Sequence, residues 1–477
     1  MKRLSWMWCL LLLSLTAAGQ DVANDTTSLS ARLDTLIKRS LPPGGSVGIS
    51  VYDLTANTPL YIYGGDKLSR PASTMKLLTA ITSLVQPAAD EPFRTEVWYH
   101  GTIARDTLHG DLYVVGGFDP EFGDAALDSL VDAVARLPFS VITGQVKGDV
   151  SMKDSLYWGS GWMWDDTPAA FQPYLSPLML NKGKVDVTAV PTRRDSAATV
   201  GLVPASTYYT VTNETKSRTP AAGRFRVSRN WLQHGNSLLV SGNVDRKLTG
   251  SVNIYSSQHF FMHTFLERLR AKGIDNGINN GQMHYGFGTL PADTLSTLVV
   301  RYETPMQDVL DRMMKESDNL NAEAMLCRLG AQVTGKKHIT AEAGLDAIRT
   351  LITQLGDNPK HYRLADGCGL SQYNYITPDL LVSFLRLAYS QTDVFRKLYK
   401  SLPVSGIDGS LKYRMKNAPL YRNVHAKTGT VTGICCLAGY LQAANGHEIA
   451  FAVMNQNQLS ATAARRFQDS VCEEIAR

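Results

Sequence analysis

Apolar residues change period several times along the 477-residue chain, and each change marks an element. Leu29, Leu33, Leu36 and Ile37 form one helical stripe, closed by Pro42-Pro43-Gly44-Gly45. Residues 46–53 and 59–63 alternate as a strand pair around the turn 55–58. Behind Pro71, the residues Leu77, Leu78, Ile81, Leu84 and Val85 define a second helix, apolar on nearly every side. From residue 93 the pattern shortens into strands and turns rich in Gly, Asp and Thr, broken by a helix at 125–137; residues 185–240 are almost wholly β in character. Helical spacing returns at 256–272 and, after a short β stretch at 298–300, dominates through 305–315, 321–333, 341–355, 378–390 and 394–402. Two apolar strands, 433–442 and 447–454, then meet through Asn445-Gly446, a hairpin signal, before a closing helix at 461–475.

This order predicts a multidomain α/β chain: residues 21–92 with 295–477 form one domain, an antiparallel sheet flanked by helices. A mostly β insertion at 93–294 interrupts it, with an inner nested subdomain at about 183–248. Residues 1–20 read as a signal peptide, with Lys2 and Arg3 ahead of an apolar run that ends in Ala17-Ala18-Gly19. No other stretch is long and apolar enough to span a bilayer, so the remainder is read as exported, in the periplasm or at the outer face of the membrane. The formal charge of +5 includes two positives in that leader, too mild a balance to indicate nucleic acid. Beyond Cys9, five cysteines remain at 327, 368, 435, 436 and 472, an odd and sparse set that is no disulfide framework.

The candidate chemistry begins with Lys76, the one charge between Pro71 and Val85. A lone ammonium in a core helix costs several kcal/mol unless it is paired or loses its proton. Ser73 lies three residues earlier on the same helix face, within reach of that amine, at the end of the helix where a developing oxyanion is favoured. Serine is a weak nucleophile and needs such a base. Ser317-Asp318-Asn319 bridges two predicted helices, and Lys427-Thr428-Gly429-Thr430 leads into the final hairpin. Each tripeptide is commonplace alone; together and in this order they form a set that chance rarely supplies. The His259 and His263 pair has the i, i+4 spacing of metal ligands but no accompanying acid, and is read as helix packing.

With these motifs the sequence resembles the low-molecular-mass penicillin-binding proteins of the D-alanyl-D-alanine carboxypeptidase/endopeptidase family, the type with a large insertion between its first two motifs. Gly161-Trp162-Met163-Trp164-Asp165-Asp166 and residues 402–411 extend the likeness. So do Gly116-Gly117-Phe118-Asp119-Pro120, where the family has Gly for Phe118, and Asp366-Gly367-Cys368-Gly369-Leu370-Ser371, where it has Ser for Cys368. The resemblance implies a penicillin-binding-protein/serine β-lactamase-like transpeptidase domain, with Ser73 as nucleophile, Lys76 as base and Ser317 as proton relay. Asn319 would hold Lys76 and the substrate amide, Lys427 and Thr428 the terminal carboxylate. Gly429 would admit a close backbone approach, and the amides of Ser73 and Thr430 would form the oxyanion hole. Asp166 would meet the free amine of a diaminopimelate side chain. The implied partners are peptidoglycan stem peptides and, as covalent inhibitors, β-lactams; no metal or cofactor is implied. A β-lactamase and a catalytically idle envelope protein are the competing readings.

Overall fold

The computed structural model describes residues 28–219, 223–275 and 284–477, so the leader read at 1–20 lies outside the described residues. Its central sheet is antiparallel and five-stranded, in the order His425–Val431, Ile434–Gln442, Glu448–Gln456, Ser46–Asp53, Thr58–Tyr63. The two strands of the predicted hairpin are nearly continuous apolar runs because both faces are covered. Side-chain alternation divides them: Cys436, Ala438, Tyr440, Ala450, Ala452 and Met454 join the core beneath the helices around Ser73. Leu437, Leu441, Ile449, Phe451 and Val453 face the opposite way, against the helices Leu29–Ser40 and Ala461–Ala476. Those two terminal helices are tied by Arg32, whose Nε lies 2.9 Å from Glu474 Oε2.

The helices Met75–Leu84, Met306–Lys315, Asn319–Thr334, Ala341–Gln354, Pro378–Ser390 and Thr392–Ser401 fill the front face, within a few residues of their predicted bounds. All ten residues of Met75–Leu84 are buried, as its all-round apolar pattern requires. The five cysteines within the described residues are buried and unpaired, and Cys435 and Cys436 point to opposite faces, toward the carbonyls of Ala461 and Arg70.

The insertion has its own core, built on the helices Asp124–Ala135 and Ser257–Ala271. Its main sheet contains Phe93–Ala104, Thr107–Gly116, Val146–Asp149 and Tyr285–Phe287. Val141–Ile142 pairs beside Thr107–Gly116, and Ser296–Thr304 completes the sheet, pairing with Phe93–Ala104 from Ser296 opposite His100 to Thr304 opposite Phe93. The expectation that ended the insertion at 294 therefore stops short of this strand. Its partner is some 200 positions earlier, beyond the reach of local pattern. Two three-stranded sheets come from residues 184–253, around the nested segment expected at 183–248. Phe118 stands at φ +59°, which accounts for the glycine that the resemblance leads one to expect there.

The paired histidines are packing residues. His259 Nδ1 meets the Tyr285 hydroxyl at 3.1 Å, and His263 Nε2 meets Thr207 Oγ1 at 2.9 Å. Burial lowers the pKa of both rings.

Candidate active site

Ser73 sits in the 3-10 turn Ala72–Thr74, two residues ahead of the first residue of the α-helix Met75–Leu84. From Pro71 to Leu84 it alone is partly exposed; every neighbour is buried. Ala72 holds φ +45°, a strained conformation for a side chain with a Cβ, and costs about 1 kcal/mol or more. Gly369 presses against it so closely that a Cβ there would lie 1.8 Å from the Ala72 oxygen.

Lys76 is fully buried, and its Nζ has three neighbours. It donates to Asn319 Oδ1 at 2.7 Å and to the Cys368 carbonyl at 2.7 Å, and lies 3.1 Å from Ser73 Oγ. A neutral amine has two N–H groups and one lone pair. The two carbonyl acceptors use the N–H groups, which leaves the lone pair directed at the serine hydroxyl. Burial lowers the proton affinity of Lys76, opposed by Cys368, Asp366, Asp318 and Glu323.

Ser317 takes φ +61° between two helices, and its Oγ accepts from Lys427 Nζ at 2.8 Å. Lys427, on the edge strand His425–Val431, is also fully buried; burial first and Lys76 second push it well below the ordinary amine range. Two buried ammonium groups beside one another oppose each other, so the site disfavours holding both protons.

Gly429 brings the edge strand against the turn that carries Ser73: a Cβ there would stand 2.7 Å from the Pro71 oxygen and 2.9 Å from the Ser73 nitrogen. Ser73, Ser317, Asn319, Asp166, Phe171 and Thr430 all border one cleft of about 790 Å³. Asp166 is half-buried on its wall, with its pKa raised by burial and by Asp165. Of the two tryptophans beside it, Trp162 is buried and donates to Asp366 Oδ2 at 3.0 Å, whereas Trp164 is 64% exposed.

Two expected contacts are arranged differently. The Thr428 hydroxyl donates to Ser410 Oγ at 2.7 Å and Thr428 does not line the cleft, as Thr430 does. The Asn319 side-chain nitrogen donates to the Phe171 carbonyl at 2.9 Å, so any bond to a substrate amide shares that group with a contact from the insertion. His425, at the start of the same edge strand, stacks on Tyr399 with ring centroids 3.9 Å apart.

Sequence reasoning missed the supports. Lys182, in the insertion, reaches Glu121 Oε1 at 2.7 Å, Asn321 Oδ1 at 2.8 Å and Asp318 Oδ2 at 3.0 Å, while Asp318 caps the helix behind Ser317. Lys182→Met leaves Asp318 without its cation and Glu121 with Arg312 alone, 3.3 Å away, in a largely buried site. It is expected to lower the melting temperature by several degrees and the acylation rate of Ser73 about tenfold. Calorimetry and labelling kinetics check both. Glu323, Asp366 and Cys368 place donor atoms within 4.8 Å of one another, the one such trio among the described residues. It is a hydrogen-bond hub: Asp366 accepts from the backbone of Gly369 and Ser371 and from the side chains of Asn374 and Trp162.

The chain is similar to known proteins over most of its length. The D-Ala-D-Ala carboxypeptidase 3 (S13) family matches residues 29–476. A D-alanyl-D-alanine carboxypeptidase of an Actinomadura species is 29% identical over 467 residues, 94% of this chain and 85% of that one. The D-alanyl-D-alanine carboxypeptidase DacB of Haemophilus influenzae is 26% identical over 425 residues, 87% of this chain and 86% of that one. The crystal structure of penicillin binding protein 4 from H. influenzae shares the fold, with a TM-score of 0.78 at 23% identity, covering 93% of this chain and 99% of that one.

Proposed function

The chain belongs to the D-Ala-D-Ala carboxypeptidase 3 (S13) family of low-molecular-mass penicillin-binding proteins, and from that premise we propose an exported serine DD-peptidase acting on peptidoglycan stem peptides. It removes the terminal D-Ala and also cuts D-Ala to diaminopimelate cross-links. The observation that carries this reading is the Lys76 amine, held by two carbonyl oxygens and turned toward Ser73.

Ser73 Oγ attacks the carbonyl of the penultimate D-Ala as its proton passes to Lys76. The C–N bond breaks, and Ser317 relays a proton to the departing amine. Water then cleaves the acyl-serine. The amides of Ser73 and Thr430 hold the developing oxyanion, typically worth ~3 to 4 kcal/mol per donor. Lys427, whose amine lies beneath Ser317, draws the terminal carboxylate to that end of the cleft, and the Thr428 hydroxyl reaches it only by turning from Ser410 toward the cleft. Asp166, on the cleft wall, receives the diaminopimelate amine. β-Lactams, cyclic mimics of the same peptide, acylate Ser73 covalently. Export, to the periplasm or the outer face of the membrane, rests on the leader sequence 1–20. Among the described residues no helix is long and apolar enough to cross a membrane.

Incubation with purified muropeptides and mass analysis tests the proposal. Free D-alanine from pentapeptides marks the carboxypeptidase, and monomers from cross-linked dimers mark the endopeptidase. Rapid turnover of penicillin without either product identifies a β-lactamase, and absence of both product and label an idle protein; either overturns the reading.

A further inference from the structure

Behind the nucleophile's base lies an acid that the sequence motifs do not include. Glu323 follows Asn319 by one turn of the helix Asn319–Thr334 and is 2% exposed. Its Oε1 accepts from the backbone nitrogens of both Gly367 and Cys368, each at 2.9 Å. The two carbonyls of the same residues point the other way, to the helix that carries the base. Gly367 accepts from Thr79 Oγ1 at 2.7 Å and Cys368 from Lys76 Nζ at 2.7 Å. Lys76 and Thr79 are three residues apart, on one face. The Gly367-Cys368 segment is thus pinned by its N–H groups to one helix and by its carbonyls to another. Both acceptors that hold Lys76 trace to Asn319–Thr334: Asn319 directly, and the Cys368 carbonyl through Glu323.

We propose that Glu323 is a positioning residue for this reaction: it fixes the Cys368 carbonyl against Lys76, and its negative charge sets how firmly Lys76 keeps a proton. This inference rests on the serine-peptidase reading of the site. The groups that face Glu323 are Asp366 and Cys368 on the loop, Lys76 on the Ser73 helix, and Cys327 one turn further along its own helix. Lys153, Asp154, Glu342 and Asp366 border with it a cavity of about 380 Å³. Burial, with Asp366 second, pushes the carboxyl up to about 7, so it changes charge near neutral pH. When ionised it raises the proton affinity of Lys76. Loss of that charge therefore lets Lys76 become a free base at lower pH.

Glu323→Gln keeps an oxygen able to accept both N–H groups and removes the charge; Glu323→Ala removes both. The experiment is the rate of Ser73 labelling by a fluorescent penicillin against pH, with melting temperatures as a check on folding. Glu323→Gln is expected to retain most of the maximal rate while its acid limb moves about one unit to lower pH. Glu323→Ala loses at least about tenfold in maximal rate. The proposal is overturned if the limb of Glu323→Gln coincides with wild type, or if Gln is as slow as Ala when both are folded. If the wild-type protein itself takes no label, the peptidase reading fails instead.

Discussion

A Lys76→Met enzyme is expected to lose acylation of Ser73 by at least about a thousandfold, as completely as Ser73→Ala, while it still folds. Methionine fills nearly the same buried volume without a charge, so removing the ammonium relieves a desolvation cost even as the Asn319 oxygen and the Cys368 carbonyl lose their donor. These terms oppose each other, and the melting temperature moves by a few degrees at most. The rate has no such compensation if, as proposed, Lys76 Nζ, 3.1 Å from Ser73 Oγ, is the base that takes the hydroxyl proton. Penicillin labelling followed over hours, beside a thermal melt, separates the two effects. A rate within tenfold of wild type rules out the amine as base.

The second large effect is at Gly429. An added Cβ would stand 2.7 Å from the Pro71 oxygen, 2.9 Å from the Ser73 nitrogen and 3.0 Å from the Thr74 nitrogen. All three are backbone atoms and none can swing aside. Gly429→Ala thus forces the edge strand away from the nucleophile's turn and carries the Thr430 amide out of line with that of Ser73. A displacement near 1 Å is enough to lower reactivity about a hundredfold. Labelling kinetics read this directly, with Gly201→Ala as control, since a Cβ there meets nothing within 4 Å. Retention of wild-type rate in Gly429→Ala contradicts the paired oxyanion donors.

The parts of the site legible in the sequence are those made by side chains at short spacing. Ser73 and Lys76 stood out because one charge interrupts an apolar helix. Glu323 carries the same signal, an acid flanked by Ala322, Ala324, Met325 and Leu326, and could have been found by the same test. The Cys368 and Phe171 carbonyls could not, since every residue has a carbonyl and only the fold decides which one points at Lys76 or Asn319. The sheet was readable for a similar reason: each strand announces itself, and alternation separates Leu437 from Ala438. The pairing of Ser296–Thr304 with Phe93–Ala104 lacked any local mark, because loop closure across the insertion is set by tertiary contacts alone.

The strand order of the central sheet has a consequence for biogenesis. Ser46–Asp53 pairs on one side with Thr58–Tyr63, made within moments of it, and on the other with Glu448–Gln456, some 400 residues later. Within the sheet, the strands that carry Lys427 and Gly429 reach Ser46–Asp53 through that late strand. A nascent chain therefore presents Ser73 before Lys427 and Gly429 can be set beside it, and on the proposed mechanism activity arises only once the final fifty or so residues have docked.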